Sequence, residues 1–477
     1  MDDKVMIGLD LSRRAQHQAV ILRPGQPRPE TRRLGSTAEE FEALVASAGG
    51  PERCVVVMEP TGMAWLPVSA WLIHRGCTVH RVDTRSAHGF RKIISRNVKS
   101  DRADAEALAR MPTADPTRMR PLALATPSQF SLDRLVRMRA DLVDQRARVY
   151  LQAVSTLEPF APAMERLFGK SDRFTDARRY LMRHYCVPMD AAEAGVEGIR
   201  AALAAAEVDD LEDGELEAWV AAAQIDTALW RSMVECGRCP VDFQLLSFQV
   251  GVHLDRYEEL TGHIEKLEDK ISEVHRHTGL AKVIESLPGI GEVIGPAVLG
   301  AIGDVRRFPN AKAFACWLGL TPRKNQTGVS DRAGQRMSKA GNRLLRRYFY
   351  LAADSGRKSD LDLARWYFER TTRGMHHNAA ITAIANRLAH RIYAVLKRAA
   401  DGDTKGYTFH DEDGAELSKS ESSRLVRERY PSKRARAAQA KKQVGRASNA
   451  QGKGQSKDSP RRSDEVSTQP ESNPAPT

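Results

Sequence analysis

Between residues 4 and 115, short apolar runs alternate with amphipathic stretches. "KVMIGLDLS" reads as a strand, and "HQAVILRP" as the second strand of a hairpin with it. "TAEEFEALVASAG" carries a Thr cap, a helical apolar spacing and a Gly stop, so it predicts a helix. "CVVVMEP" is the next strand, "WLPVSAWLIHRG" a helix and "CTVHRVD" a further strand, and "KSDRADAEALARM" opens another helix. Strands alternating with helices predict a layered α/β domain over residues 1–120.

From 121 to 275 the strand pattern stops. Leu135, Leu142 and Val149 recur at heptad spacing, and Tyr257, Leu260, Ile264, Leu267, Ile271 and Val274 step by three and four. This is a coiled-coil seam of about two and a half heptads. It leaves pairing within one chain and pairing between chains equally open. "AGVEGIRAALAAAEVDDLEDGELEAWVAAA" between these segments reads as an acidic, Ala-rich helical insert. Residues 276–400 predict a compact, mostly α domain closed by Ile381, Ile384, Leu388, Ile392 and Val395 at core spacing. Residues 401–477 turn polar and basic and predict a disordered tail.

Composition narrows the function. Lys and Arg number 73 against 61 Asp and Glu, a net charge of +12 over 477 residues, which points to a polyanionic partner such as nucleic acid. A basic tail could account for the excess, so the location of the charge matters. The N-terminus lacks a signal-peptide pattern and no apolar run approaches the roughly 20 residues needed to span a bilayer. A soluble, cytoplasmic protein without membrane contact is the expectation. Six cysteines are too sparse for a disulfide framework at this length. The one CxxC, Cys236 and Cys239, needs a second ligand pair to hold zinc, and the only nearby candidates, His184 and Cys186, are far in sequence.

Two carboxylates stand at strand ends. Asp10 follows the buried Ile7 and Leu9, and Glu59 ends the run Val55 to Met58 just before Pro60 and Gly62. A buried unpaired carboxylate is costly, so each is either solvated at a loop or holds something positive. Asp101 and Asp104 are three apart and share a helical face. Alone, that pair would serve as ordinary first-turn acids that favour the helix dipole. Together the four fit a site for two hard divalent cations, Mg²⁺ being the natural choice for oxygen ligands, of the kind that promotes phosphoryl transfer.

The C-terminal part supplies cations. "SLPGIGEVIGPAVLGAIGD" looks like a helix-hairpin-helix turn, whose Gly289 and Gly291 would let backbone N–H groups approach DNA phosphates. "LGLTPRKNQTGVSDRAGQRMSKAGNRLLRRYFYLAA" then sets Arg323, Lys324, Arg332, Arg336, Lys339, Arg343, Arg346 and Arg347 against the single acid Asp331. A phosphate-binding surface is the better reading of a Gly- and Ser-rich basic run that leads into an apolar helix. Thr327, Ser330 and Ser338 bring hydroxyls into this field, where cations could stabilise charge during attack.

These stretches resemble the insertion-sequence-110 family of transposases, the DEDD recombinases, whose relatives include the Piv-type DNA invertases. The resemblance rests on "IGLDLS", "VVVMEPTG", "KSDRADAEALA", "SLPGIGEVIGPAVLGAIGD", "FACWLGLTPRKNQTG" and "RMSKAGNRLLRR", in that order. It implies an RNase H-like, RuvC-type N-terminal domain in which Asp10, Glu59, Asp101 and Asp104 hold the metals. It also implies a C-terminal transposase domain with a nucleophilic serine that joins covalently to DNA, a multimer (dimer or tetramer) combining domains of different protomers, and a structured guide RNA. The family serine precedes a glycine after "GLTPR". Here that position is Thr327, in "NQTG", so Thr327 is the implied nucleophile, with Ser330 as the alternative or an impaired copy as the third outcome. The rival readings are a Piv-like site-specific invertase, an actin-like sugar kinase opened by "IGLDLS", and a noncatalytic nucleic-acid-binding scaffold.

Overall fold

The structure is a computed structural model and describes residues 3–94, 100–116, 119–168, 174–212, 214–323, 326–327, 330–331 and 335–431, the side chains of 326, 327, 330 and 331 excepted. The chain gathers into two compact units. Of the described residues, one holds those within 1–286, 290–349 and 388–406, and the other those within 287–289, 350–387 and 407–431.

The first unit opens with β1 (Val5–Asp10), β2 (His17–Leu22), β3 (Glu30–Leu34), helix α1 (Ala38–Ser47), β4 (Cys54–Met58), α2 (Trp65–His74), β5 (Thr78–Arg81), α3 (Thr84–Ile94) and α4 (Asp101–Ala114). The five strands form one sheet in the order β3-β2-β1-β4-β5. β1 pairs antiparallel with β2 and parallel with β4, and β5 runs parallel to β4. Strand alternation sorts the side chains. Val5, Ile7, Leu9, Val56, Met58 and Val79 enter a core with Phe41, Leu44 and Val45 of α1 and Val68 and Leu72 of α2. Burying each large aliphatic side chain contributes about 1.5–3 kcal/mol. On the opposite face Val20 meets Ala105 and Ala109 of α4, and Val57 meets Ala87 of α3 and Leu108 of α4. Thr37 caps α1 through the Glu40 N–H, as its sequence predicts. β3 and α3 were not legible in the pattern. β3 is an edge strand with the charged sequence ETRRL, which suits an exposed edge and hides its alternation.

The helical middle consists of α5 (Pro127–Leu157), α6 (Pro162–Glu165), α7 (Asp176–His184), α8 (Pro188–Ala205), α9 (Glu215–Glu235) and α10 (Phe243–His277). Thr126 and Gln129 close a capping box at the start of α5. α5 and α10 pair within the chain: Arg139 bonds Glu268, Arg146 donates to Thr261, and Leu260, Ile264 and Ile271 are buried. The seam's intra-chain alternative is the observed one. The helical insert read from the sequence is helical, and consists of two helices, α8 and α9, separated by residues 206–214. The chain can turn there because Gly214 adopts φ +80°. Phe160, Met164, Leu181, Ile199, Trp219 and Leu254 join these helices in one core. Asp226, buried there, accepts the N–H groups of Ala163 and Met164 at 3.0 and 3.1 Å.

α11 (Ala281–Glu285), α12 (Ile294–Ile302), α13 (Ala311–Trp317), the short strands β6 (Gln326–Thr327) and β7 (Ser330–Asp331), α14 (Arg343–Gly356), α15 (Leu361–Thr372) and α16 (His377–Ala400) follow. A Cβ on Gly300 would stand 2.5 Å from the Asp133 nitrogen, so α12 lies close against α5. Ile381, Ile384, Leu388, Ile392 and Val395 are all buried, as their spacing predicts. The expected disorder from 401 needs correction. β8 (Phe409–His410), β9 (Glu416–Leu417) and α17 (Lys419–Arg429) continue the fold. Val426 packs on Leu361 and Ala364, Ser418 and Glu421 form a capping box, and the Tyr407 hydroxyl donates to Asp360 at 2.8 Å. Few but well-placed anchors order a polar segment. The rest of the predicted tail, 432–477, lies outside the described residues. No helix among the described residues is long and apolar enough to cross a membrane.

Candidate active site

Asp10 is the last residue of β1, and Glu59 comes one residue after β4. Leu9 and Met58 are register partners in the parallel pair, so adjacent strands, about 4.8 Å apart, deliver both carboxylates to one edge. Alternation also fixes their face. Asp10 lies two residues past Gly8, and Glu59 two past Val57, which packs toward α3 and α4.

That face is covered by α4 at very short range. A Cβ on Gly8 would fall 1.8 Å from the Ala105 carbonyl oxygen and 2.5 Å from the Ala109 nitrogen. Gly8 and the alanines of α4 therefore set the approach of helix to sheet. Asp104 immediately precedes Ala105, so the contact that seats the helix also brings its first turn over the Asp10 end of β1. Ser100 caps the helix through the Ala103 N–H. Asp101 and Asp104 then occupy the first turn, where the helix dipole favours negative charge. This is the placement that the dipole reading of the pair expects, and it is compatible with the site reading.

The electrostatics record the convergence. The Asp10 carboxyl is pushed up from 3.8 to about 6, first by partial burial and then by repulsion from Asp101, Asp104 and Glu59. Three separated segments thus place four carboxylates in one field. Arg91 of α3 stands among them, its Nε 2.8 Å from Asp104, with only 12% of its side chain exposed. The four acids share a field without being drawn to ligation distance: among the described residues no three His, Cys, Asp or Glu form a set that could hold a metal ion as they stand. The donor chemistry nevertheless fits a hard cation, since all four are oxygen donors and their mutual repulsion is relieved by positive charge.

The basic run forms a hairpin. Pro322 bridges Met337, the Arg323 N–H donates to the Arg336 carbonyl at 2.9 Å, and Ser338 N–H donates to the Thr321 carbonyl at 2.9 Å. Farther out, Thr327 and Ser330 are directly opposed partners of β6 and β7. The two candidate nucleophiles therefore share the tip of one hairpin, although their side chains lie outside the described residues, as do Lys324 and Arg332. Arg323, Arg336, Lys339 and Arg343 are exposed, and none forms an ion pair among the described residues. Lys339 adopts φ +52°, an uncommon conformation for a side-chain-bearing residue. Arg346 is turned inward to the Gly341 carbonyl, and Arg347 pairs with Asp144 at 3.0 Å.

The glycine turn divides into two environments. Gly289 has φ +75°, and a Cβ there would stand 2.0 Å from the Ala352 carbonyl oxygen of α14. Its glycine is required by packing, without any phosphate. Gly291 is exposed with open space at its Cβ position. Arg91 was missed from the sequence; the only signal was a basic run, "FRKIISR", just before the DxxD pair.

Two family models match the chain. A model described as transposase, of the DEDD IS110 type, matches residues 7–162, and the model of the transposase IS116/IS110/IS902 family matches residues 281–369. The first holds all four acids; the second holds the hairpin. The chain is 24% identical to the insertion element IS116 uncharacterized 44.8 kDa protein of Streptomyces clavuligerus, over 83% of this chain and 95% of the relative. It is 25% identical to the insertion element IS110 uncharacterized 43.6 kDa protein of Streptomyces coelicolor, with the same 83% and 95% coverage. It is also 29% identical to the pilin gene-inverting protein of Moraxella bovis, over 25% of this chain and 37% of that one. An α/β domain presenting four acids, a basic hairpin beyond it, and two family models over those same segments lead to one conclusion: the chain belongs to the IS110/IS116 family of transposases, enzymes that cleave and recombine DNA.

Proposed function

We propose that this protein moves an insertion sequence by divalent-metal-dependent strand cleavage and exchange through a covalent protein–DNA intermediate, guided by an RNA encoded by the element. What supports the reading is that burial and then the charges of Asp101, Asp104 and Glu59 push the Asp10 carboxyl up to about 6, with Asp10 and Glu59 carried to the ends of adjacent, paired strands. The strand order β3-β2-β1-β4-β5, with β2 antiparallel, supports an RNase H-like fold of the RuvC type. Asp10, Glu59, Asp101 and Asp104 would hold two Mg²⁺ ions, which when bound supply charge stabilisation to attacking and departing oxygens.

Thr327 is the proposed nucleophile. Its hydroxyl oxygen forms a bond to a DNA phosphorus as the bond from that phosphorus to a deoxyribose oxygen breaks. The hydroxyl proton passes to a carboxylate or solvent, and the departing oxygen is protonated in turn. The phosphodiester count is unchanged, so the joined state can be resolved by attack of an incoming strand's hydroxyl, which regenerates threonine. The exposed Arg323, Arg336, Lys339 and Arg343, with Lys324 and Arg332 in the same run, bind backbone phosphates, and Gly291 lies in a turn open to DNA. Gly289 is proposed for that turn too, alongside its packing role. A homo-oligomer, dimer or tetramer, combines acids and hairpin in one assembly, acting in the cytoplasm.

The test is to incubate protein, RNA from the element's flank and end-bearing DNA with Mg²⁺, and look for a denaturant-resistant adduct. Peptide mapping is expected to find DNA on Thr327. An undiminished adduct in Thr327→Ala rejects that assignment, with Ser330 the next candidate, and no adduct under any divalent cation rejects the covalent route. The likeness to the pilin gene-inverting protein favours a second substrate arrangement, site-specific inversion by the same chemistry. DNA flanking the gene decides between mobile ends and an invertible segment.

A further inference from the structure

Two contacts in sequence set α3 against α4. Ala87 of α3 packs with Leu108 of α4 over Val57. Arg91, one turn farther along α3, meets Asp104, one turn back along α4. Steps of four in opposite directions are what two antiparallel neighbouring helices produce. The apolar contact therefore fixes which residue of α3 stands beside the acids, and that residue is an arginine.

Its guanidinium is held at two points. Nε lies 2.8 Å from the Asp104 carboxylate, and Nη2 donates to Nδ1 of His88 at 2.9 Å. Only 12% of the Arg91 side chain is exposed, against 31% for Asp104, and His88 is exposed. The arginine thus stands just inside a rim that solvent reaches. Among the described residues it is the one cation paired with any of Asp10, Glu59, Asp101 and Asp104.

One guanidinium cannot balance four carboxylates, whereas two divalent cations can. A magnesium ion on Asp104 needs its oxygen at about 2.0–2.1 Å and repels the guanidinium beside it. Arg91 and metal therefore compete for one carboxylate. A tie between α3 and α4 would account for the ion pair, but that tie is lost whenever Asp104 takes a metal ion, so it does not hold the working site together. Once the four acids are neutralised, the next charge to arrive with DNA is the single negative charge of a phosphodiester. Arg91 matches it in sign and shape. Its planar fork spans phosphate oxygens, and a largely buried cation that has lost its carboxylate requires another anion.

We propose that Arg91 is an exchangeable cation of the acid site: it occupies Asp104 in the metal-free protein and, once metal takes that carboxylate, turns to a non-bridging oxygen of the DNA phosphate bound there. Metal and DNA are then bound cooperatively, each raising the affinity for the other. The inference rests on reading the four acids as the metal site of a recombinase.

The test uses the full chain in a Thr327→Ala/Ser330→Ala background, so that DNA is bound without being joined. Mn²⁺ affinity without DNA is read from the paramagnetic resonance of the free ion. Affinity for a labelled duplex carrying the element's end, with RNA from the element's flank, is read by fluorescence anisotropy in EDTA and in Mg²⁺. Arg91→Gln is expected to bind Mn²⁺ several-fold more tightly, because a competing cation is gone. It is expected to bind DNA about tenfold more weakly in Mg²⁺, with little change in EDTA, where Arg91 is tied to Asp104. Arg91→Lys is expected to recover part of the DNA affinity, since it keeps the charge without the fork. A purely structural role, or a variant that folds poorly, lowers both affinities together, so the opposite signs are the signature. Unchanged or weaker Mn²⁺ binding in Arg91→Gln, or the parent's full Mg²⁺-dependent gain in DNA affinity, overturns the inference. A parent protein that binds Mn²⁺ and gains DNA affinity in Mg²⁺ while Arg91→Gln tracks it counts against Arg91 alone. A parent that binds no Mn²⁺ counts against the metal site and the exchange together.

Discussion

Asp10→Asn separates function from stability. In the folded protein the Asp10 carboxyl is raised from 3.8 to about 6 by burial and by three neighbouring acids. The native state therefore binds this proton more tightly than the unfolded chain does. Stability contributed at this position is present below about pH 4 and is lost as pH rises from about 4 to 6. About two pH units at 1.36 kcal/mol each set a ceiling near 3 kcal/mol. Asp10 is partly solvated, and screening reduces this to about 1–2 kcal/mol. Asparagine is nearly isosteric and cannot ionise. In metal-free buffer Asp10→Asn should match wild type near pH 4 and become more stable by about 1–2 kcal/mol at pH 7, a rise in thermal midpoint of about 1–3 °C. Adding Mg²⁺ should reverse the order, since a ligand at about one hundred times its dissociation constant stabilises wild type by about 2.7 kcal/mol and the variant less. The assay is thermal unfolding at several pH values with EDTA or Mg²⁺. An Asn variant that is less stable than wild type at pH 7 without metal, or equally responsive to Mg²⁺, would refute the reasoning.

Three further outcomes test the architecture. Gly8→Ala places a methyl 1.8 Å from the Ala105 carbonyl and should cost about 2–3 kcal/mol in urea unfolding while reducing Mg²⁺ response, because α4 must lift from the sheet. Arg91→Ala removes the cation paired with Asp104; it should lower metal-free stability and enlarge the Mg²⁺-induced thermal shift, and an unchanged shift would show Arg91 to be incidental. Ser418→Ala removes the capping box of α17 and should cost about 1 kcal/mol locally, seen as faster hydrogen exchange over 419–429 with strand cleavage unaffected.

The legible parts of the molecule were those with local causes. Apolar runs ending in Asp10 and Glu59, and a capped helix opening with Asp101 and Asp104, show in the sequence because strand alternation and helix dipole act over a few residues. Helix α16 showed for the same reason. Arg91 did not, because it matters only through Asp104, on a different helix. Gly289 looked like a phosphate-binding glycine, yet the α14 backbone against it is a nonlocal fact that composition cannot carry. The segment from 407 to 430 reads as tail because Phe409, Val426 and Tyr430 are widely spaced, and only the surface they find on α15 gives them an effect. The resemblance names the four acids; the geometry adds the close packing of α4 over Gly8, which sets the helix that carries Asp101 and Asp104 against the strand that ends in Asp10.

The central claim is that the four acids form one cation site. Its most direct measurement is anomalous diffraction from crystals grown with Mn²⁺ in place of Mg²⁺. The account expects two peaks about 4 Å apart, ligated by Asp10, Glu59, Asp101 and Asp104, with Arg91 displaced from Asp104. Peaks elsewhere, or none between those carboxylates at saturating Mn²⁺, would contradict it.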